Sequence, residues 1–218
     1  MATTTETKPH SFAEVYARLG RVPMERIRMT PPPGTATEDD LNRPHGPTCE
    51  LIDGVLVEKA MGARESALGL SVGRLIGNHV EATDAGVVLG EAGFIRLTGG
   101  QVRAPDVTFI PWSEFPDDEI PEDEAFWSVA PVLTVEVLNP SNTDAEIDRK
   151  LSELFAAGCK LAWVIDPPTK TARVYTSVKK FAQHDETGTL DGGKVLPGFK
   201  LKLADLFAST KRRKKKPR

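Results

Sequence analysis

Cysteine is scarce in this chain: two residues in 218, Cys49 and Cys159. Two thiols can build neither a disulfide framework nor a four-ligand zinc site. Both are expected to pack as small core or edge residues, the usual place of a free and inert cysteine. The four histidines, at positions 10, 45, 79 and 184, form no H-x-H or H-E-x-x-H pattern. Their scatter speaks against a histidine-centred hydrolase or zinc enzyme. Also missing is any apolar run near the roughly 20 residues that a membrane-spanning helix needs. The opening "MATTTETKPH" has no apolar core of a signal peptide, so a cytoplasmic protein without a membrane partner is expected. No internal repeat recurs at a period of roughly 20 to 50 residues, which excludes a solenoid or a propeller.

What is present describes one soluble globular domain with extensions: hydrophobic residues make up 39% and charged residues 27%, enough for a proper core. Charge is unevenly placed. The last eight residues, "KRRKKKPR", carry seven positive charges, while the rest of the chain holds 21 basic against 31 acidic residues. Such a run repels itself, so residues 208–218 are expected to form a disordered basic tail attracted to phosphate backbones, the plain alternative being a solubilising tail. Residues 1–47 are expected to form a helix and a Pro-rich extension, and residues 48–207 the domain proper.

Along the chain, "SFAEVYARLG" offers a Ser N-cap and a terminal Gly for a short helix, and "TEDDL" suggests one helical turn. "CELIDGVLVEK" holds two apolar segments around Asp53-Gly54, a strong hairpin signal. A long helix follows, with Leu68, Val72, Leu75, Ile76 and Val80 on one stripe and Gly69, Gly73 and Gly77 suggesting close approach to a sheet. "GVVLGE", "GFIRL", "LAWVIDP" and "ARVYTS" read as strands. "NTDAEIDRKLSELFAAGCK" reads as a helix capped by Thr143 and Glu146, with Ile147, Leu151, Leu154 and Phe155 buried. "WSEFPDDEIPEDEAFW", with seven acids and two prolines, is expected to be a surface loop. Strands both adjacent in sequence and separated by helices predict an α/β fold with a mixed sheet.

Two strand-like runs, "RAPDVTFI" and "LTVEVLNPS", each carry one carboxylate, Asp106 and Glu136. Alternation puts Val135 and Val137 on one face of the second strand and Thr134, Glu136 and Leu138 on the other. A carboxylate inside a sheet loses hydration at a cost of several kcal/mol unless partners replace the water. Two acids on neighbouring strands would also repel each other without a cation between them. A basic side chain could serve, and so could magnesium, which prefers oxygen ligands and often uses one or two carboxylates. Lys150 falls at the border of its helix's apolar stripe, where a lysine can lay its stem on the core and reach over the sheet edge. An arginine salt bridge for Glu136 and a solvated lysine at position 150 are the plain alternatives.

The order "ELIDG", "RAPDVTFI", "LTVEVLNPS", "DRKLSELFAAG" and "LAWVIDP" resembles the Uma-type family of putative restriction endonucleases, within the PD-(D/E)XK nuclease superfamily. The resemblance spans residues 50–175 and implies a restriction-endonuclease-like mixed β-sheet flanked by α-helices. It further implies metal-dependent hydrolysis of DNA phosphodiesters, with Mg2+, or Mn2+ in its place, held by Asp106, Glu136 and the main-chain carbonyl of Val137. The superfamily's lysine, two residues after the glutamate, is replaced here by Leu138, and the resemblance transfers that role to Lys150. Glu50 would complete the acidic cluster. Departures are Asn139 where a serine is common, Phe155 where a tyrosine is common, and "RES" where many members carry a histidine. DNA is the implied partner, a homodimer is left open, and Arg96, Arg103, Arg149, Lys170 and Arg173 are candidates for a local backbone-binding patch. The alternative is a binding module of the same fold that has lost the reaction.

Overall fold

The structure is a computed structural model that describes residues 11–42, 46–60 and 62–210. The polar N-terminus, His10, His45 and the basic run from residue 211 lie outside the described residues.

Helix α1 (Phe12–Arg18) starts where Ser11 accepts a hydrogen bond from the Glu14 amide, and α2 (Glu38–Leu41) is the single turn at "TEDDL". Strands β1 (Cys49–Ile52) and β2 (Val55–Glu58) form the hairpin, with Asp53 and Gly54 at φ of 50° and 72°. Two positive φ values are the requirement of the tight turn whose twist matches its strands, which is why Asp-Gly stands there. Helix α3 (Ala63–Thr83) leads to β3 (Gly86–Leu89), β4 (Ile95–Arg96), β5 (Val102–Arg103), β6 (Val107–Pro111) and β7 (Leu133–Val137). Then come α4 (Asp144–Ala156), β8 (Leu161–Asp166), β9 (Thr171–Ser177), β10 (Lys180–His184), β11 (Thr189–Asp191), β12 (Lys200–Lys202) and α5 (Leu203–Ala208).

The main sheet runs in the order β10-β9-β8-β7-β6-β3; a second pairs β2-β1-β5-β4, and β11 pairs β12. Within the main sheet β7 and β8 are parallel and the other neighbours antiparallel. Parallel neighbours need a crossover, and α4 is that crossover. The fold is therefore α/β with a mixed sheet, as the pattern of elements predicts.

Each face of the main sheet is covered by one long helix. On one side Leu68, Val72, Ile76 and Val80 of α3 pack with Val107, Phe109, Leu133, Val135, Val137 and Trp163. On the other, Ile147, Leu151 and Leu154 of α4 pack with Ile110, Ala162 and Val164. Burying such side chains stabilises the fold by roughly 1.5–3 kcal/mol each. Leu75 and Phe155, expected in the buried stripes, are only partly buried, because each sits on the flank of its helix rather than over the sheet. Close approach holds for two of the three α3 glycines: a Cβ on Gly69 would lie 3.6 Å from Asp106 Cβ, and one on Gly73 3.4 Å from Val107 Cγ2. A Cβ on Gly77 would meet nothing within 4 Å.

The N-terminal segment is sewn to the domain. Val15, Leu19, Val22 and Ile27 pack on Ile52, Val55 and Val57 of the hairpin. Gly20 presses on α4 so closely that a Cβ would lie 2.5 Å from the Glu146 nitrogen, and its carbonyl accepts from Thr143 Oγ1 at 2.6 Å. Glu146 does more than cap α4: buried, it takes Arg26 by both oxygens at 2.6 and 2.9 Å. The acidic loop between β6 and β7 is exposed in most of its carboxylates but anchored by aromatics, Phe115 lying edge-on to Trp127 at 5.4 Å.

Candidate active site

Strand register brings the two acids together. Val107 pairs with Val135 across β6 and β7, and Asp106 stands one residue before that pair while Glu136 stands one residue after it. In antiparallel strands these are neighbouring positions. Val135 and Val137 face α3, and Glu136 points to the α4 side, as alternation requires. Asp106, at the mouth of β6, accepts the Val137 N–H on Oδ2 at 2.8 Å. Asp106, Glu136, Glu50, Lys150 and Lys59 line one small cavity of about 20 Å³.

Lys150 occupies the centre of it. Its ammonium lies 2.6 Å from Glu136 Oε1 and 2.9 Å from Glu50 Oε1, and its side chain is 6% exposed. The border position on α4 delivers the stem across apolar neighbours and the charge onto the strand acid. Glu50, from β1, is fully committed: Oε1 also accepts the Ala104 N–H, and Oε2 accepts Arg103 Nη1, each at 2.9 Å. Arg103 is itself 1% exposed and bridges on to Glu153.

These neighbours set the protonation of the site. Burial pushes the Glu136 carboxyl up, to about 7; Lys150 opposes that, while Asp106 and Glu50 add to it. Burial acts the same way on Glu50, but there Lys150, Arg103, Lys59 and the Ala104 N–H outweigh it and hold the carboxyl well below the usual range. For Lys150, burial would lower the pKa, and Glu136, Glu50 and Asp106 together raise it above the ordinary lysine value. One ammonium is thus shared between two buried carboxylates. Glu50 has Arg103 and the Ala104 N–H besides, so the pair's surplus negative charge falls on Glu136.

Two features of the site carry no mark in the sequence. Lys59, just past β2, is buried, with Nζ 3.2 Å from Asp106 Oδ1 and 2.9 Å from the Glu91 carbonyl. A lysine closing "VLVEK" reads as an ordinary solvated strand end, and only tertiary packing makes it otherwise. The Arg26–Glu146 pair lines the same cavity, and of it only the capping role of Glu146 is legible.

The carboxylate oxygens of Asp106 and Glu136 are the donors a hard dication takes, and it needs few protein ligands when it keeps its waters; Asp106 also meets Lys59, and Glu136 meets Lys150. Glu50 is the most heavily engaged of the three acids, with Lys150, Arg103 and the Ala104 N–H on its oxygens. Among the described residues, no three His, Cys, Asp or Glu side chains form a metal-binding group. Val137 meets Asp106 through its N–H, and no contact of its carbonyl with the site is recorded.

Each cation expected in the backbone-binding patch has a carboxylate partner. Arg96 pairs with Glu38, Arg103 with Glu50 and Glu153, Arg149 with Asp53 and Glu153, Lys170 with Glu186, and Arg173 with Asp144. The body holds ten more acidic than basic residues; Arg103 is buried with its partners, while Arg96 and Lys170 remain partly exposed in theirs. Of the two cysteines, Cys159 is buried and Cys49 half-buried, and both are free thiols.

The sequence profile of the Uma2 family, described as "Putative restriction endonuclease", matches residues 37–204. The chain belongs to the Uma2 family. That span contains Glu50, Asp106, Glu136 and Lys150. Uma2 membership agrees with the structural comparison: a crystal structure described as a putative nuclease belonging to DUF820 from Anabaena variabilis superposes with a TM-score of 0.69. That protein is 23% identical, over 78% of this chain and 96% of the other. This likeness shows the fold. No curated protein sequence matches the chain. No helix among the described residues is long and apolar enough to cross a membrane.

Proposed function

We propose that this Uma2 protein is a nuclease that hydrolyses phosphodiester bonds in DNA with the help of a divalent metal, magnesium or manganese. The observation that carries the reading is the meeting of Asp106, Glu136 and Lys150 in one buried cavity. A sheet would be more stable without these groups, since buried ion pairs rarely repay their desolvation. A cation held by Asp106 and Glu136 would polarise a phosphate oxygen as a Lewis acid. The Lys150 ammonium stands within ion-pair distance of both Glu136 and Glu50. From there it would meet the charge that grows on phosphate as water attacks and the ester bond breaks. Glu50 is a positioning residue: together with Arg103 it fixes where that ammonium stands.

The test is cleavage of plasmid and single-stranded DNA with Mg2+ or Mn2+ by the full chain, beside Asp106→Ala and Lys150→Ala. A loss of at least a hundredfold in both variants is expected. Equal cutting by Asp106→Ala would assign the activity to a contaminant. A second reading, a DNA- or protein-binding module without chemistry, draws on the salt bridge of Lys59 to Asp106, which compensates that acid without any metal. Calorimetric titration with Mg2+ or Mn2+ separates the two, since the inert module gives no heat.

A further inference from the structure

A second, larger cavity opens beside the site. It measures about 400 Å³, within the range of small-ligand sites, and runs between α3 and the edge strand β3. Gly69, Gly73 and Gly77 form its floor, and Leu70, Val88 and Leu89 its walls. Asp106 lines both this groove and the catalytic cavity, so the two are continuous at that residue. Two details of α3 have no explanation in the packing. Leu70 is 75% exposed. Gly77, in mid-helix, costs about 1 kcal/mol relative to alanine, yet no atom stands within 4 Å of where its Cβ would be. Gly69 and Gly73 are accounted for by Asp106 and Val107; Gly77 keeps space open.

The lining selects the guest. The charged side chains along the groove are Glu65, Glu91 and Asp106, with no lysine or arginine among its lining residues. Such a groove repels phosphate and accepts a flat uncharged ring, whose amino groups find carboxylate acceptors. The cations stand at the other side of Asp106, where Lys59 touches both Asp106 and the Glu91 carbonyl. Building on the nuclease reading, we infer that the groove receives one unpaired nucleobase next to the scissile phosphate, so that the preferred substrate is a single-stranded or locally unpaired nucleic acid. A base inside a duplex must first leave its stack at a cost of a few kcal/mol, whereas a single strand offers it freely.

The experiment measures binding of short single-stranded oligonucleotides containing 2-aminopurine to the full chain in EDTA, so that nothing is cut. The comparison probes are the same oligonucleotide with abasic sites and the same sequence as a duplex. The base-containing single strand is expected to bind at least tenfold more tightly than either. Gly77→Leu, which places a branched side chain in the groove, is expected to abolish the difference, with Gly77→Ala and circular dichroism confirming that the helix tolerates a side chain. Equal affinity for base-containing and abasic strands, no binding at all, or undiminished discrimination by Gly77→Leu each overturns the inference. So does a dimer that dissociates on Gly77→Leu, which would make the groove a subunit contact. Hydrolysis of bis(p-nitrophenyl) phosphate by the wild type with Mn2+ is read separately. Failure there removes the nuclease reading while the binding result still decides the groove.

Discussion

Replacing Lys150 by methionine keeps the apolar stem and removes the ammonium that Glu136 and Glu50 share at 2.6 and 2.9 Å. Breaking a buried pair by removing one partner typically costs about 3–5 kcal/mol, because the other charge stays behind uncompensated. Here the penalty depends on pH. Folded Glu136 has its carboxyl raised to about 7, so at pH 5.5 it is already protonated and needs no cation. Only Glu50 then misses the lysine, and Arg103 and the Ala104 N–H still hold it. The loss falls to about 1.5–3 kcal/mol, the worth of a hydrogen bond to a charged group. At pH 8 Glu136 is ionised in the wild type, and without Lys150 it must either stay buried as a bare charge or take up a proton, so the penalty is larger than at pH 5.5. Urea denaturation of wild type and Lys150→Met at pH 5.5 and pH 8 measures the two values. A penalty at pH 5.5 equal to or larger than that at pH 8 would refute the assignment of the surplus charge to Glu136.

On the metal-dependent reading, the same titration would govern metal binding. A raised folded pKa means the native state holds an extra proton, so Glu136 contributes stability below its ordinary value that is lost as pH rises through 7. A dication competes with that proton, and its affinity should be about thirtyfold weaker at pH 5.5 than at pH 8, read as a smaller rise in Tm with Mn2+; equal rises would contradict it. Arg26→Met strands the buried Glu146 and frees the N-terminal segment from α4. It should cost about 3–5 kcal/mol in urea and expose the segment to limited proteolysis. Gly77→Ala should gain about 0.5–1 kcal/mol and raise Tm by roughly 2–4 °C, since the helix gains propensity and the new methyl meets no neighbour. A calorimetric scan with no rise would mean that the space is already filled.

The parts of this molecule that repeat with a local period are legible before folding. The α4 stripe, its Thr143–Glu146 cap, the Asp53-Gly54 turn and the alternation that separates Val135 from Glu136 are all short-range patterns, and each stands where the sequence puts it. Long-range pairings are not. Lys59 looks solvated until β6 brings Asp106 to it, 47 residues away. Arg103 looks like a free cation for phosphate until β1 and α4 close on it from both sides with Glu50 and Glu153. Arg26 and Glu146 are 120 residues apart, and nothing local to either predicts the other. Chemistry-bearing residues announce their type in a sequence; which opposite charge each one finds is a property of the closed fold.

The side-by-side direction of β7 and β8 has a bearing on where a base can stand in such a protein. A chain that leaves β7 and must re-enter in the same sense has to travel back over the strand it has just built, so α4 comes to rest above Glu136. Leu138 packs into the same apolar cluster as Ile147 and Leu151 of that helix. The spot above the glutamate can therefore be reached from two places in the chain, one beneath it and one overhead. In this chain α4 fills the overhead place with Lys150, and Leu138 fills the one beneath.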